Sequence, residues 1–159
     1  MSVTLSYIGN CFVGSGRGYI YILYTKVHHS LYVGQTNGRT GVIGRLCAHV
    51  SSDGTFRMRL LEREGIDLDE VGDLHVFSYC LPRDPRYIGI DRTYREGVEY
   101  LVQKHLHTVR GRLRPYMRIV SHVEYNDTAK FTFVAATAKE IISKFLEQFS
   151  AMELLSEIL

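Results

Sequence analysis

The chain has 159 residues, 45% of them apolar, and a net charge of +2, which suits one compact domain with an ordinary core and by itself selects no partner. It lacks the run of about 18 apolar residues that a membrane span needs, and Met1–Arg17 lacks the basic-then-apolar order of a secretory signal. Cys11, Cys47 and Cys80 are odd in number and scattered, with no CxxC or HxxxH spacing; this argues against a disulfide framework or a zinc site and fits reduced thiols in the cytoplasm.

Residues 19–25 alternate aromatic with aliphatic side chains and predict a strand, with residues 31–35 as its partner. A loop rich in turn residues follows at 36–41. Residues 42–50 predict a short helix with Ile43, Leu46, Cys47 and Val50 on its apolar side, so Cys47 is expected in the core. A second helix is expected over 56–64, stopped by Gly65, and a third strand over 74–81, ended by Pro82. Residues 82–91 read as a loop. A helix over 92–107 turns Tyr94, Val98, Leu101, Val102 and His105 inward, and Gly111 and Pro115 interrupt the basic stretch after it. Ile119–Tyr125 and Phe131–Val134 look like two more strands. A last helix, capped by Thr137 and Glu140, carries Ile142, Phe145, Phe149, Met152, Leu155 and Leu159 at steps of three and four. The expected fold class is α+β: a small, mostly antiparallel three-stranded sheet flanked by helices, with extra C-terminal strands and a long C-terminal helix.

Tyr21 and Tyr32 share a sheet face if the hairpin loop holds an even number of residues; an odd loop or a bulge separates them. Tyr19 would then lie beside them and competes with Tyr21 for the same role. Arg45 and His49 are one helical turn apart, so one face of that helix carries both. That face lies about 130° round from the apolar stripe, on a flank that can look into a cleft. On the later helix, Glu96 falls opposite the apolar stripe and should face water, whereas Glu99 falls at its edge. Each residue alone reads as packing or solvated surface; the ordered set of five is what points to chemistry.

That ordered set resembles the GIY-YIG nuclease superfamily. Tyr19-Ile20-Tyr21 stands for the first motif and Tyr32-Val33-Gly34 for the second. Arg45 and His49 match the family's arginine and histidine, and Glu99 its metal-binding glutamate. The resemblance covers about Gly18 to Leu106, and after the glutamate helix the nearest asparagine is Asn126. It implies a metal-dependent endonuclease that hydrolyses DNA phosphodiester bonds. Glu99 would hold a magnesium or manganese ion, and Arg45 would clamp the phosphate. Tyr21 would take a proton from water and pass its own to His49. A free phenol, with a pKa of about 10, is a poor base, and Arg45 and the cation would favour its ionised form. Tyr32 would orient the phosphate or the water. These side chains would have to line one wet groove wide enough for a nucleic-acid backbone.

Charge is concentrated in the middle of the chain, where Arg83–Arg118 is basic and the stretch after Lys139 slightly acidic. Gln35, Arg39, Arg110, Arg112, Arg114 and Arg118 are the expected nucleic-acid contacts, carrying little sequence information. The expected organisation is an N-terminal extension at 1–17, a nuclease core at 18–110, and a segment at 111–159 that either packs on the core or forms a homodimer through its helix. A dimer would bring two sites to a duplex. DNA is the expected partner; RNA cleavage, or nucleic-acid binding without cleavage, is the alternative.

Overall fold

The computed structural model describes residues 11–14, 16–89 and 93–158, with backbone alone at 93 and 155–158. Most of the expected N-terminal extension, and the side chains of Leu155 and Leu159, lie outside the described residues. The elements are β1 (Tyr19–Thr25), β2 (Ser30–Thr36), α1 (Gly41–Val50), α2 (Thr55–Glu64), β3 (His75–Cys80), α3 (Pro85–Ile88), α4 (Thr93–Leu113), β4 (Arg118–Ile119) and α5 (Thr132–Ile158). Among the described residues no helix is long and apolar enough to cross a membrane.

The fold is α+β, but the sheet is four-stranded and mixed rather than three-stranded and antiparallel. Its order is β3-β1-β2-β4, with β1 antiparallel to both neighbours and β4 parallel to β2. The hairpin pairs Thr25 with Ser30, leaving a four-residue connection, Lys26–His29. That even loop places Tyr21 opposite Gly34 and Leu23 opposite Tyr32. Alternation along the strands then sorts the sheet into two faces. Ile20, Ile22, Tyr24, Leu31 and Val33 pack against α4 and α5. Tyr19, Tyr21, Leu23 and Tyr32 pack against α1 and α2 with Val42, Phe56 and Leu60.

Both extra C-terminal strands are corrected. Only Arg118–Ile119 joins the ladder, and of Phe131–Val134 the last three residues start α5 while Phe131 closes the turn before it. The run Phe-Thr-Phe-Val suits a strand by propensity, but packing overrides it. Val134 is fully buried in the core, and the Arg86 guanidinium sits 3.8 Å over the Phe133 ring. Thr137 therefore lies inside the helix, its hydroxyl donating to the Phe133 carbonyl, and caps nothing. Gly111 does not interrupt α4, which runs across the expected boundary at 110 to Leu113; the glycine costs about 1 kcal/mol there against alanine.

The C-terminal helix covers the sheet. Phe145 and Phe149 are buried against Phe77 and Tyr24, and Tyr79 donates to Gln148 Oε1 at 2.8 Å. Each such buried phenylalanine stabilises the fold by about 1.5–3 kcal/mol.

Candidate active site

Tyr21 sits on the central strand, 1% exposed, with its ring laid across β2. Gly34, directly opposite, makes this placement possible. A Cβ there would stand 2.3 Å from Cζ and the hydroxyl of Tyr21. The glycine of the second motif is thus a seat for the tyrosine of the first. Gly34→Ala is expected to push the Tyr21 ring off its seat at a cost of about 1–3 kcal/mol, the usual range for overpacking. Denaturant melts check this; a variant as stable as the parent would mean that the ring has room to move.

Beyond Gly34 the Tyr21 hydroxyl meets His49 Nε2 at 2.6 Å. Arg45 lies close enough to the same oxygen to lower its pKa. Burial keeps the phenol protonated and the imidazole neutral, so the phenol aims its hydrogen at His49. His49 is then the Nδ1–H tautomer, wedged between the Tyr21 and Tyr32 rings, whose centroids lie 5.6 and 4.9 Å away. Tyr32 in turn stands edge-on to Phe56 of α2.

The inward face of α1 differs from the expected stripe. Ile43 and Cys47 are exposed, and the buried side chains are Val42 and His49, with Leu46 partly buried. The stripe facing the sheet is Val42, Leu46, His49 and Val50, with Arg45 exposed at its edge. A polar residue, His49, occupies a core-facing position, which hydrophobicity alone could not reveal. Arg45 keeps its outer part at the surface while reaching Tyr21.

Burial fixes the protonation states. It raises the Tyr21 pKa, helped by the neighbouring Tyr32, and this outweighs the lowering by Arg45. Tyr32 is pushed up to about 12, by burial first and then by Glu99, against Arg45 and Arg59. His49 is lowered to about 4 by burial and by Arg45. At neutral pH the pair is a phenol donating to a neutral imidazole. Arg45 does lower the Tyr21 pKa, as expected, but desolvation of a buried charge is the larger effect.

Glu99 approaches from α4, 8% exposed, at the edge of the face carrying Val98 and Val102. Its charge reaches both Tyr21 and Tyr32. It does so where the chain after β4 leaves the sheet. Val120 still donates to the Leu31 carbonyl at 2.8 Å. One residue on, the partner of the Val33 N–H is the hydroxyl of Ser121, not a backbone carbonyl. The ladder ends there. The space beyond is a cavity of about 410 Å³ lined by Glu96, Glu99, His122, Glu124, Tyr125 and Asn126 among others. Glu96 is half-buried on its wall rather than turned to water. Asn126 caps the following turn by accepting from the Thr128 N–H.

Tyr21, Tyr32 and His49 therefore come together, with Arg45 and Glu99 within electrostatic reach, but not in an open groove. Tyr21 and His49 are each 1% exposed; Arg45 is the member at the surface. Tyr19 belongs elsewhere, its hydroxyl accepting from the Val13 N–H at 2.8 Å.

The expected nucleic-acid contacts divide. Arg39, Arg110 and Arg112 are exposed. Gln35 lies on the opposite sheet face, where its Oε1 accepts from buried Arg95 at 3.0 Å. Arg114 is paired with Glu153 and Arg118 with Glu64, so both join elements of the fold. His122, Glu124 and Arg59 had no sequence signal; only the departure of the chain from β2 and the packing of α2 bring them close.

Among the described residues no group of three or more His, Cys, Asp or Glu is arranged to hold a metal ion. No family model, curated protein or solved structure matches the chain, so the resemblance to the GIY-YIG nucleases rests on these residues and their geometry.

Proposed function

We propose that the chain is a metal-dependent nuclease that hydrolyses phosphodiester bonds in DNA. The observation that carries this reading is the Tyr21 hydroxyl, held between His49 at 2.6 Å and the Arg45 guanidinium, with Tyr32 and Glu99 within electrostatic reach. A core tyrosine needs one hydrogen-bond partner. A neutral imidazole as that partner, with an arginine beside it reaching in from the surface, makes a path for a proton beside a grip for an anion.

The donor set around Glu99 fits magnesium or manganese: carboxylate and amide oxygens beside a cavity with room for water. When bound, the cation would neutralise charge on the phosphate and its leaving oxygen. Arg45 would clamp a phosphate oxygen with its planar fork. Tyr21 would receive a proton at its oxygen while passing its own to His49 Nε2. Burial and Arg45 both oppose an imidazolium, so His49 takes up a proton only after the phosphate anion has offset Arg45. Tyr32 would orient the phosphate through its hydroxyl.

The test is cleavage of supercoiled plasmid with magnesium, beside a structured RNA. Plasmid cutting that stops on chelation, with some DNA binding retained, is the expected result, because exposed arginines need no metal. Binding that vanishes with the chelator would count against that division. Tyr21→Phe is expected to slow cleavage by about 10²–10⁴-fold, the range for a proton-transfer group. Tyr24→Phe should leave it unchanged, since Tyr24 faces α5 and reaches Glu153. Equal effects would mean that Tyr21 is a packing residue.

The burial of Tyr21 and His49 favours a second reading, a protein of this kind that binds nucleic acid without cutting it. Binding with no cleavage of DNA or RNA under any divalent cation would select it.

A further inference from the structure

We propose that Arg59 and Arg63 of α2, with Arg110 of α4, form a phosphate track that leads a DNA backbone to the Arg45 cluster. This deepens the nuclease reading and rests on it. The starting observation is how the cations of α2 are used. Arg57 is held between Asp67 and Asp69 at 3.0 and 2.7 Å and also donates to the Val50 carbonyl. Arg59 and Arg63 have no carboxylate at ion-pair distance among the described residues.

Their position follows from the helix. Phe56 and Leu60 are the buried residues of α2, and Phe56 stands edge-on to Tyr32. Arg59 and Arg63 each follow one of these by three residues, so they border the face turned to the site, one turn apart. Arg59 is half-buried beside Tyr32 and Arg63 is exposed. The end of α2 is fastened to the sheet edge by the ion pair of Glu64 with Arg118 at β4.

The last turns of α4 approach the same edge. Arg110 is exposed and lies 3.2 Å from His107 Nδ1. Arg63, Arg110 and His122 all bear on His107 electrostatically, and both helices reach β4, α2 through Glu64–Arg118 and α4 by packing on it. His122 also lines the Glu99 cavity. Arg59, within electrostatic reach of Tyr32, and Arg63 and Arg110, both within reach of His107, thus link the cluster to the end of α4. A polyanion with evenly spaced charges is the ligand such a row fits; a single phosphate would engage only one end.

The experiment uses the full chain with Glu99→Gln, so that DNA is held and not cut. Binding of a fluorescein-labelled duplex is measured by anisotropy over a salt series. The salt slope is expected to fall by about 0.9 for each phosphate contact removed, hence about 1.8 for Arg59→Gln with Arg63→Gln. The two Arg→Lys replacements should keep most of the slope. Lys139→Gln with Lys144→Gln, an equal loss of charge on α5, should leave it unchanged. Arg63→Glu alone, at an exposed position that folding does not depend on, should weaken binding and so tests the track independently of Arg59. An unchanged slope in the α2 variants, or an equal drop in the α5 control, would overturn the track while leaving the nuclease reading intact. Failure of the parent to bind DNA at any salt would remove both.

Discussion

Replacing Arg45 by alanine, or Glu99 by glutamine, is expected to lower plasmid cleavage at least about 10²–10³-fold while leaving the protein folded. That range is the loss seen when one preorganised donor to a developing charge is removed. The two changes act on different ends of the site. Arg45→Ala removes the guanidinium from the Tyr21 oxygen but leaves the Tyr21–His49 bond and the packing of both rings. Arg45 is exposed, and surface substitutions usually move stability by less than about 0.5 kcal/mol. Glu99→Gln keeps volume and one oxygen but loses the charge that would hold a cation. Cleavage rates measured beside thermal melts decide the matter. Full activity in both variants would end the catalytic assignment, and unfolding in both would show that the cluster is a structural core.

Much of this arrangement was legible in the sequence, for identifiable reasons. The period-two pattern of Tyr19–Thr25 and the five-residue run after it specify two strands, and both form. Gly65 ends α2 in the left-handed conformation, its N–H donating to the Leu61 carbonyl. Tyr21 and Tyr32 share a face because the hairpin loop is even, and His49 packs between them. The errors on α1 have one source. A wheel drawn from hydrophobicity assumes that polar residues face out, and on α1 it put Cys47 inside and His49 on the flank. The structure has the reverse, because the imidazole finds a phenol to accept from and the thiol needs no partner. Such an inversion of the usual pattern is what a site built into a core produces. The C-terminal region failed differently. Nothing local distinguishes Phe131–Val134 from a strand, and nothing foretells that Ser121 will end the β2–β4 ladder with its side chain. Both depend on contacts with α3, α4 and β2 that are distant in sequence.

Lowering the pH from about 6.5 toward 4 is expected to destabilise the protein through His49. The sign follows from proton counting. The folded pKa is lowered to about 4, by burial first and then by Arg45, below the ordinary value of 6.5. Between these values the unfolded chain binds the proton and the folded one does not, so stability rises with pH across the window. The contribution is fully present above 6.5 and is lost as the medium becomes more acidic. Each pH unit costs up to about 1.4 kcal/mol, and the total reaches about 2–3 kcal/mol near pH 4. His49→Gln removes the titrating group and offers Tyr21 another acceptor. Urea midpoints of the two proteins should therefore converge as the pH falls, since the other histidines and the carboxylates act on both alike. Parallel curves would mean that His49 takes a proton as readily folded as unfolded. The imidazole would then be solvated, the Tyr21–His49 bond would open freely, and the proton path proposed for cleavage would lack its acceptor.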